Sequence, residues 1–233
     1  MLRVEGLDAF YGRAQILRGV SFDVASGEVL AMLGRNGAGK STTLKALIGI
    51  VRPAAGSIRL AGQEVAGWEP HRIARAGLGW VPEDRRVFAD LTVMENLSVG
   101  RQPPRSGVAP WTPERLFALF PNLGRMRDRS GARMSGGEQQ MLTIARTLMG
   151  NPRLILLDEP GEGLAPVIIE QMAATILALK AEGVTVLVAE QNLRFAASVA
   201  DRAVVVEGGR IAWTGTMAGL LKDDAARANY LAV

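Results

Sequence analysis

The nine residues Gly34-Arg35-Asn36-Gly37-Ala38-Gly39-Lys40-Ser41-Thr42 leave this chain few folds to choose from. The segment has the G-x-x-x-x-G-K-[ST] spacing, whose glycines let a loop close tightly and aim several backbone N–H groups at one point. An apolar run at 28–33 leads into it as a strand, and 40–50 leaves it as a helix stopped by Pro53 and Gly56. The start of that helix adds about half a positive charge, so strand, loop and helix together form an anion cradle. Lys40 has the reach to meet the β- and γ-phosphates of a nucleotide, and Ser41 can place its hydroxyl on Mg²⁺.

The rest of the sequence supports an α/β architecture. Strands are predicted at 2–11, at 16–24 with alternating apolar positions, and at 57–60, 78–81, 154–158, 184–189 and 203–206. Helices are predicted at 167–181 and 193–200. The apolar runs at 154–157 and 184–189 do not alternate, which suits parallel strands covered on both faces. Between 87 and 150 the pattern changes to helices (93–99, 113–120 and 137–149) around a loop at 102–113 rich in proline and glycine. We read 87–149 as a helical subdomain inserted into a nucleotide-binding core of 1–86 and 150–233, all within one domain.

The longest apolar segments fall far short of the ~20 residues that span a bilayer. The start, Met1-Leu2-Arg3-Val4-Glu5, has no signal-like apolar stretch, and cysteine is absent, so no disulfide framework or thiolate metal site is available. A cytoplasmic protein is expected, held at a membrane only through other subunits. The net charge of +4 is carried almost wholly by arginine, with no basic run interleaved with aromatics, so no nucleic-acid partner is expected.

Two further segments bear on the cradle. Leu154-Ile155-Leu156-Leu157-Asp158-Glu159 delivers two acids at the carboxyl end of a strand, where ligands of open parallel sheets bind. Asp158 is placed to hold Mg²⁺ directly or through water, and Glu159 to polarise an attacking water. Met134-Ser135-Gly136-Gly137-Glu138-Gln139-Gln140 puts a serine and two glycines at a helix start, a second phosphate-facing surface without a lysine. One cradle and one lysine-free cap suggest ATP clamped between two subunits.

In order and spacing these three segments resemble the ATPase subunits of ABC transporters over essentially the whole chain. The resemblance implies a P-loop NTPase (RecA-like) parallel sheet core with an N-terminal antiparallel β subdomain and an inserted α-helical subdomain. It also implies a head-to-tail dimer with a sister or identical ATPase chain. Each ATP is then held by one cradle and by Ser135, Gly136, Gly137 and Glu138 of the other subunit. Two integral membrane permease subunits and, indirectly, an external solute-binding protein complete the assembly, which places the chain on the inner face of the cell membrane. The aromatic residue that stacks on adenine maps onto Tyr11.

The chain departs from that pattern in three places. Glu83, in Trp80-Val81-Pro82-Glu83, stands where a glutamine is usual, with a role in Mg²⁺ or water ligation. Gln191, in Val188-Ala189-Glu190-Gln191-Asn192, replaces the histidine that touches the γ-phosphate; it can donate an N–H but carries no positive charge. The loop Glu162-Gly163-Leu164-Ala165-Pro166 lacks the usual aspartate. Together these substitutions look like the subgroup serving branched-chain amino acid uptake, in which two different ATPase subunits usually pair. An added carboxylate near the γ-phosphate costs roughly 2–3 kcal/mol at an effective dielectric near 20, so a site that binds ATP well and turns it over slowly is expected. The segment 83–100, with Arg85, Arg86, Phe88, Leu91 and Met94, maps onto the cleft where membrane subunits dock. The only histidine, His71, falls in a presumed surface helix. Other readings are the same motor for urea, short amides or aromatic acids, a soluble regulatory ATPase, and a metabolic kinase, in which the Ser-Gly-Gly-Glu-Gln segment has no role.

Overall fold

The computed structural model describes residues 1–105 and 109–231. Strands β1 (Leu2–Tyr11), β2 (Ala14–Val24), β4 (Ala55–Leu60) and β5 (Gln63–Glu64) form an antiparallel sheet in the order β2-β1-β4-β5. β3 (Val29–Leu33), β6 (Leu78–Val81), β7 (Leu154–Asp158), β8 (Thr185–Glu190), β9 (Arg202–Glu207) and β10 (Arg210–Thr216) form the second sheet, ordered β10-β9-β3-β8-β7-β6. Four of its five pairings run parallel, and at the edge β10 turns back antiparallel on β9. An α/β fold built on a parallel sheet, with an antiparallel sheet ahead of it, is what the sequence called for.

β3, β7 and β8 are buried at every position, which is why their sequences are apolar without alternation. Their side chains still divide by the period of two. Val29, Ala31 and Leu33 enter one core with Ile155, Leu157, Val186 and Val188. Leu30 and Met32 enter the other with Leu154, Leu156 and Leu187. The second core is closed by α1 (Lys40–Leu47), by α2 (Pro70–Ala76) through Ile73, and by the antiparallel sheet. The first is closed by α3 (Val93–Gly100), α4 (Pro113–Leu119), α5 (Pro121–Gly124), α6 (Gly136–Leu148), α7 (Pro166–Ala181) and α8 (Leu193–Val199). The parallel sheet is therefore gripped from both sides, and its loop-bearing carboxyl ends are held in fixed register.

Several elements differ from the sequence reading. α1 stops at Leu47 rather than at 50 because Gly49 adopts a left-handed conformation, and a Cβ there would run into the Trp68 carbonyl. β5, α5, β10 and the C-terminal helix α9 (Met217–Lys222) carry no long apolar run, and only the structure reveals them. β10 is an edge strand of alternating half-burial. Of the loop expected at 102–113, residues 106–108 lie outside the described residues. Its flanks are tied down: Arg105 Nε donates to the Asn151 carbonyl at 2.8 Å, and the Trp111 N–H donates to Asn151 Oδ1 at 2.7 Å. His71 is exposed on α2.

Candidate nucleotide site

The cradle lies between the end of β3 and the start of α1. At Gly34 the backbone passes so close to β9 that a Cβ would stand 2.5 Å from the Val206 carbonyl oxygen. α1 begins at Gly39 with no side-chain cap, so nothing from the chain's own side chains takes up its first N–H groups. Such an end is suited to receive an anion. Asn36, Gly37, Gly39, Lys40, Ser41 and Thr42 form one wall of a cavity of about 380 Å³, and Glu83, Glu159 and Glu162 form the facing wall. Arg35 is exposed beside the loop and Ala38 is buried beneath it.

Lys40 is 4% exposed, yet its ammonium is fully engaged. Nζ donates to the Gly34 carbonyl at 2.9 Å and the Arg35 carbonyl at 3.3 Å, and pairs with Glu159 Oε1 at 3.0 Å. The Lys40–Glu159 ion pair is buried on both sides, so neither charge can lose its partner without another taking its place. Glu159 itself sits at φ 43°, an unusual conformation for a side chain of its size, held by its N–H donating to the Ala189 carbonyl at 3.0 Å.

The neighbouring acid is arranged differently. Ser41 Oγ donates to Asp158 Oδ1 at 2.9 Å. Burial raises the Asp158 carboxyl above the usual aspartate range, and the Ser41 hydrogen bond opposes that shift. Mg²⁺ prefers oxygen ligands, keeps several waters, and takes one or two carboxylates together with substrate phosphates. Among the described residues no group of three or more His, Cys, Asp or Glu side chains is arranged to hold a metal alone. The adjacent hydroxyl and carboxylate of Ser41 and Asp158, with Glu83 on the lining of the same cavity, fit an ion that needs phosphate oxygens to complete its shell.

Of the other residues singled out in the sequence, Gln191 is exposed on the wall of an adjoining cavity of about 230 Å³, which shares Glu159 and Glu162 with the first. Tyr11, at the end of β1, is 49% exposed and outside the cradle wall, where Ile16 is the apolar contact. Ser135, Gly136, Gly137 and Glu138 form the N-terminus of α6 and belong to neither cavity. Ser135 Oγ accepts from the Glu138 N–H at 3.3 Å, and Glu138 Oε2 accepts from the Ser135 N–H at 2.7 Å, a reciprocal cap.

Two carboxylates escaped the sequence reading. Glu162 comes from the loop that lacks the usual aspartate, and its hydrogen bond to Glu159 raises its pKa. Glu190 closes β8 at 4% exposure, and burial pushes its carboxyl up to about 7. The signal for it was an acid ending an otherwise apolar strand, beside the residue that drew attention, Gln191.

Away from the cradle, an apolar groove of about 530 Å³ runs between α2, the end of α3 and the segment after β6. Ile50, Phe88 and Val99 stand half-exposed along it, and the Arg146 guanidinium lies 4.9 Å from the Phe88 ring centre. No described helix is long and apolar enough to cross a membrane.

Known proteins resemble this chain over nearly its full length. The sequence model of the family described as "ABC transporter" matches residues 17–162. The chain is 45% identical to the high-affinity branched-chain amino acid transport ATP-binding protein BraG of Pseudomonas aeruginosa, over 99% of each. It is 35% identical to the lipopolysaccharide export system ATP-binding protein LptB of Acidithiobacillus ferridurans, over 99% of this chain and 96% of the other. Among solved structures, a nucleotide-free ATP-binding cassette from an ABC transporter superposes with a TM-score of 0.84 at 28% identity, over 97% of this chain and 96% of the other.

Proposed function

Since the chain belongs to the ABC transporter family as one of its ATP-binding subunits, we propose that it hydrolyses ATP to drive import of branched-chain amino acids. The observation that carries the reading is the meeting of Lys40, Ser41 and Glu159 in one cavity, with Asp158 bonded to Ser41 behind it, in a chain whose 45% identity to a branched-chain amino acid transport protein exceeds its 35% identity to a lipopolysaccharide export protein.

The mechanism follows from the two buried contacts. The cradle N–H groups and the α1 N-terminus take the triphosphate, and Lys40 exchanges its partner Glu159 for phosphate oxygens. Glu159 then faces the γ-phosphate as a free carboxylate that can accept a proton from the attacking water as the water oxygen bonds to phosphorus and the bond to ADP breaks. Ser41 and Asp158 would hold Mg²⁺, with Glu83 as a further oxygen; the ion, when bound, neutralises charge on the phosphate oxygens. Gln191 donates an amide N–H toward the γ-phosphate. The Lys40–Glu159 pair keeps the base occupied until phosphate displaces it.

Because Ser135, Gly136, Gly137 and Glu138 stand outside the cradle of their own chain, they act on the ATP of a second subunit, sister or identical, in a head-to-tail dimer. Tyr11 stacks on the adenine beside the cradle. The groove around Phe88 takes a segment of a membrane permease, and this places the chain at the inner face of the membrane. Phe88→Asp is expected to abolish transport-coupled stimulation while leaving nucleotide affinity intact. Glu83 and Gln191 make this subunit's site slower than that of a sister carrying the histidine. Comparing Glu159→Gln here with the matching change in the sister checks that asymmetry, since equal losses of turnover would remove it.

The deciding experiment for the reading as a whole is reconstitution with the neighbouring membrane subunits. Leucine, isoleucine or valine, with the external binding protein, should stimulate ATPase activity. Stimulation by urea, short amides or aromatic acids instead would move the substrate class and keep the motor. Turnover unchanged by Lys40→Ala would end the proposal.

A further inference from the structure

We propose that Glu190 is a positioning residue for hydrolysis: its buried carboxylate ties the turn that carries Gln191 to the loop that follows Asp158 and Glu159. The inference rests on the ATPase reading given above and adds a residue to it.

The geometry is a three-way hold. Glu190 Oε2 accepts from the Gln191 N–H at 3.1 Å and from the Asn192 N–H at 3.2 Å, which fixes the turn between β8 and α8. Asn192 continues the lock by capping α8, its Oδ1 accepting from the Phe195 N–H at 3.1 Å. The Gly161 N–H lies against the same carboxylate and favours its charged form. Gly161 lies close, since a Cβ placed on it would stand 3.7 Å from Glu190 Oε1. One residue earlier on the strand, the Ala189 carbonyl accepts the Glu159 N–H. The end of β8 therefore grips the backbone of Glu159, the loop after it and the backbone of Gln191.

A carboxylate in this place is costly unless its hydrogen bonds matter. Glu190 is buried, no ion pair to it is found among the described residues, and the charge that acts on it, Glu159, has the same sign. Glu162, hydrogen-bonded to Glu159, and Lys40, paired with Glu159, complete the charged groups on that side. What opposes the burial, in part, is the set of backbone N–H groups, which a carboxylate satisfies with two acceptor oxygens. An amide offers one oxygen. Glu190→Gln can keep the 191–192 turn, but it presents N–H to N–H at Gly161 and cuts the tie between the two loops.

The test is steady-state ATPase activity of the full chain with Lys40→Ala, Glu190→Gln, Gln191→Ala and the Glu190→Gln/Gln191→Ala pair. Loss of turnover in Lys40→Ala establishes that the measured activity belongs to the cradle; its survival would defeat the ATPase reading rather than this one. With that control in hand, Glu190→Gln is expected to lower kcat by about tenfold with KM for ATP within about twofold, because misplacement acts on chemistry more than on binding. The double variant should be no slower than about half the rate of the slower single, since both changes disturb one unit. A kcat for Glu190→Gln within about twofold of the parent, a matching rise in KM, or fully additive losses would each overturn the proposal. If Glu190→Gln does not fold, Glu190→Asp takes its place. It keeps the charge but falls one methylene short of the backbone donors, and an undiminished kcat would overturn the proposal equally.

Discussion

Two helices of this protein begin in glycine-rich segments, and they are built in opposite ways. α1 starts at Gly39 with no side-chain cap and its first N–H groups open to a cavity; α6 starts at Ser135 with a reciprocal Ser135–Glu138 cap that claims the N–H groups of those two residues. The first end needs an anion and has a buried lysine waiting beside it. The second is partly satisfied within the single chain, has the Arg85 guanidinium rather than a lysine beside Gly136, and stands outside the cavity of its own cradle. An open helix end can take an anion of its own chain, whereas the capped and exposed one is left to serve the second subunit proposed above. Variants at the two ends should therefore fail differently.

The largest effect is expected at the partner of the open end. Glu159→Gln removes the proton acceptor and should lower ATP turnover by about 10²–10⁴-fold. Binding should hold or tighten, because Lys40 no longer has to leave an ion pair to meet phosphate. Measuring the ATP Kd alongside single-turnover hydrolysis separates the two consequences. A Kd that weakens in step with the rate would show that the pair does not compete with phosphate.

Next comes Lys40→Ala, with a loss of about 10²–10³-fold, the scale seen when one donor to developing negative charge is removed. Here affinity and turnover should fall together, the reverse of the Glu159→Gln pattern. Isothermal titration with ATP and ADP checks it, since the loss should be larger for ATP if Lys40 reaches the γ-phosphate.

Much of this site could be read before any coordinates. The cradle and the Asp158-Glu159 strand end were legible because each couples a special residue to a local rule: glycine to a tight loop, and an acid to the end of an apolar strand. The central strands were legible for the same reason, since burial on both faces forces a continuous apolar run. The elements that escaped, β5, α5, β10 and α9, are short or half-exposed and take their form from neighbours. The Lys40–Glu159 pair was hidden because it joins residues 119 positions apart and each already had a separate role. Glu190 was hidden because its meaning lies in three backbone N–H groups that only the fold brings together.

Glu190 also supplies a pH test of the carboxylates around the open end. An unfolded glutamate titrates near 4.5, and burial in the folded chain moves this one to about 7. Between those values the folded state holds a proton that the unfolded state has released. The stability contribution is thus fully present below pH 4.5 and lost as pH rises through 7. The separation corresponds to about 3 kcal/mol. Urea unfolding at pH 5 and pH 8.5 should show the parent losing more stability on the alkaline side than Glu190→Gln does. Parallel pH profiles in the two proteins would mean the buried carboxylate titrates as an ordinary one.

The smallest effect belongs to the capped end, and it sharpens the contrast most. Ser135→Ala removes one acceptor from the α6 terminus and should cost about 1 kcal/mol of stability, as cap removals usually do. Ser135→Asp keeps an acceptor for the Glu138 N–H and suits the positive end of the helix, so stability should be preserved. If the Ser135 end serves only its own helix, the aspartate variant will turn over ATP like the parent. If it closes on the triphosphate of another subunit, the added negative charge will repel that ligand. Turnover should then fall in the assembled dimer while thermal stability and ATP binding by the isolated chain stay unchanged. That split, with folding intact and assembly-dependent hydrolysis lost, is the behaviour an open end such as α1 cannot produce, because any charge placed there acts on the chain's own nucleotide first.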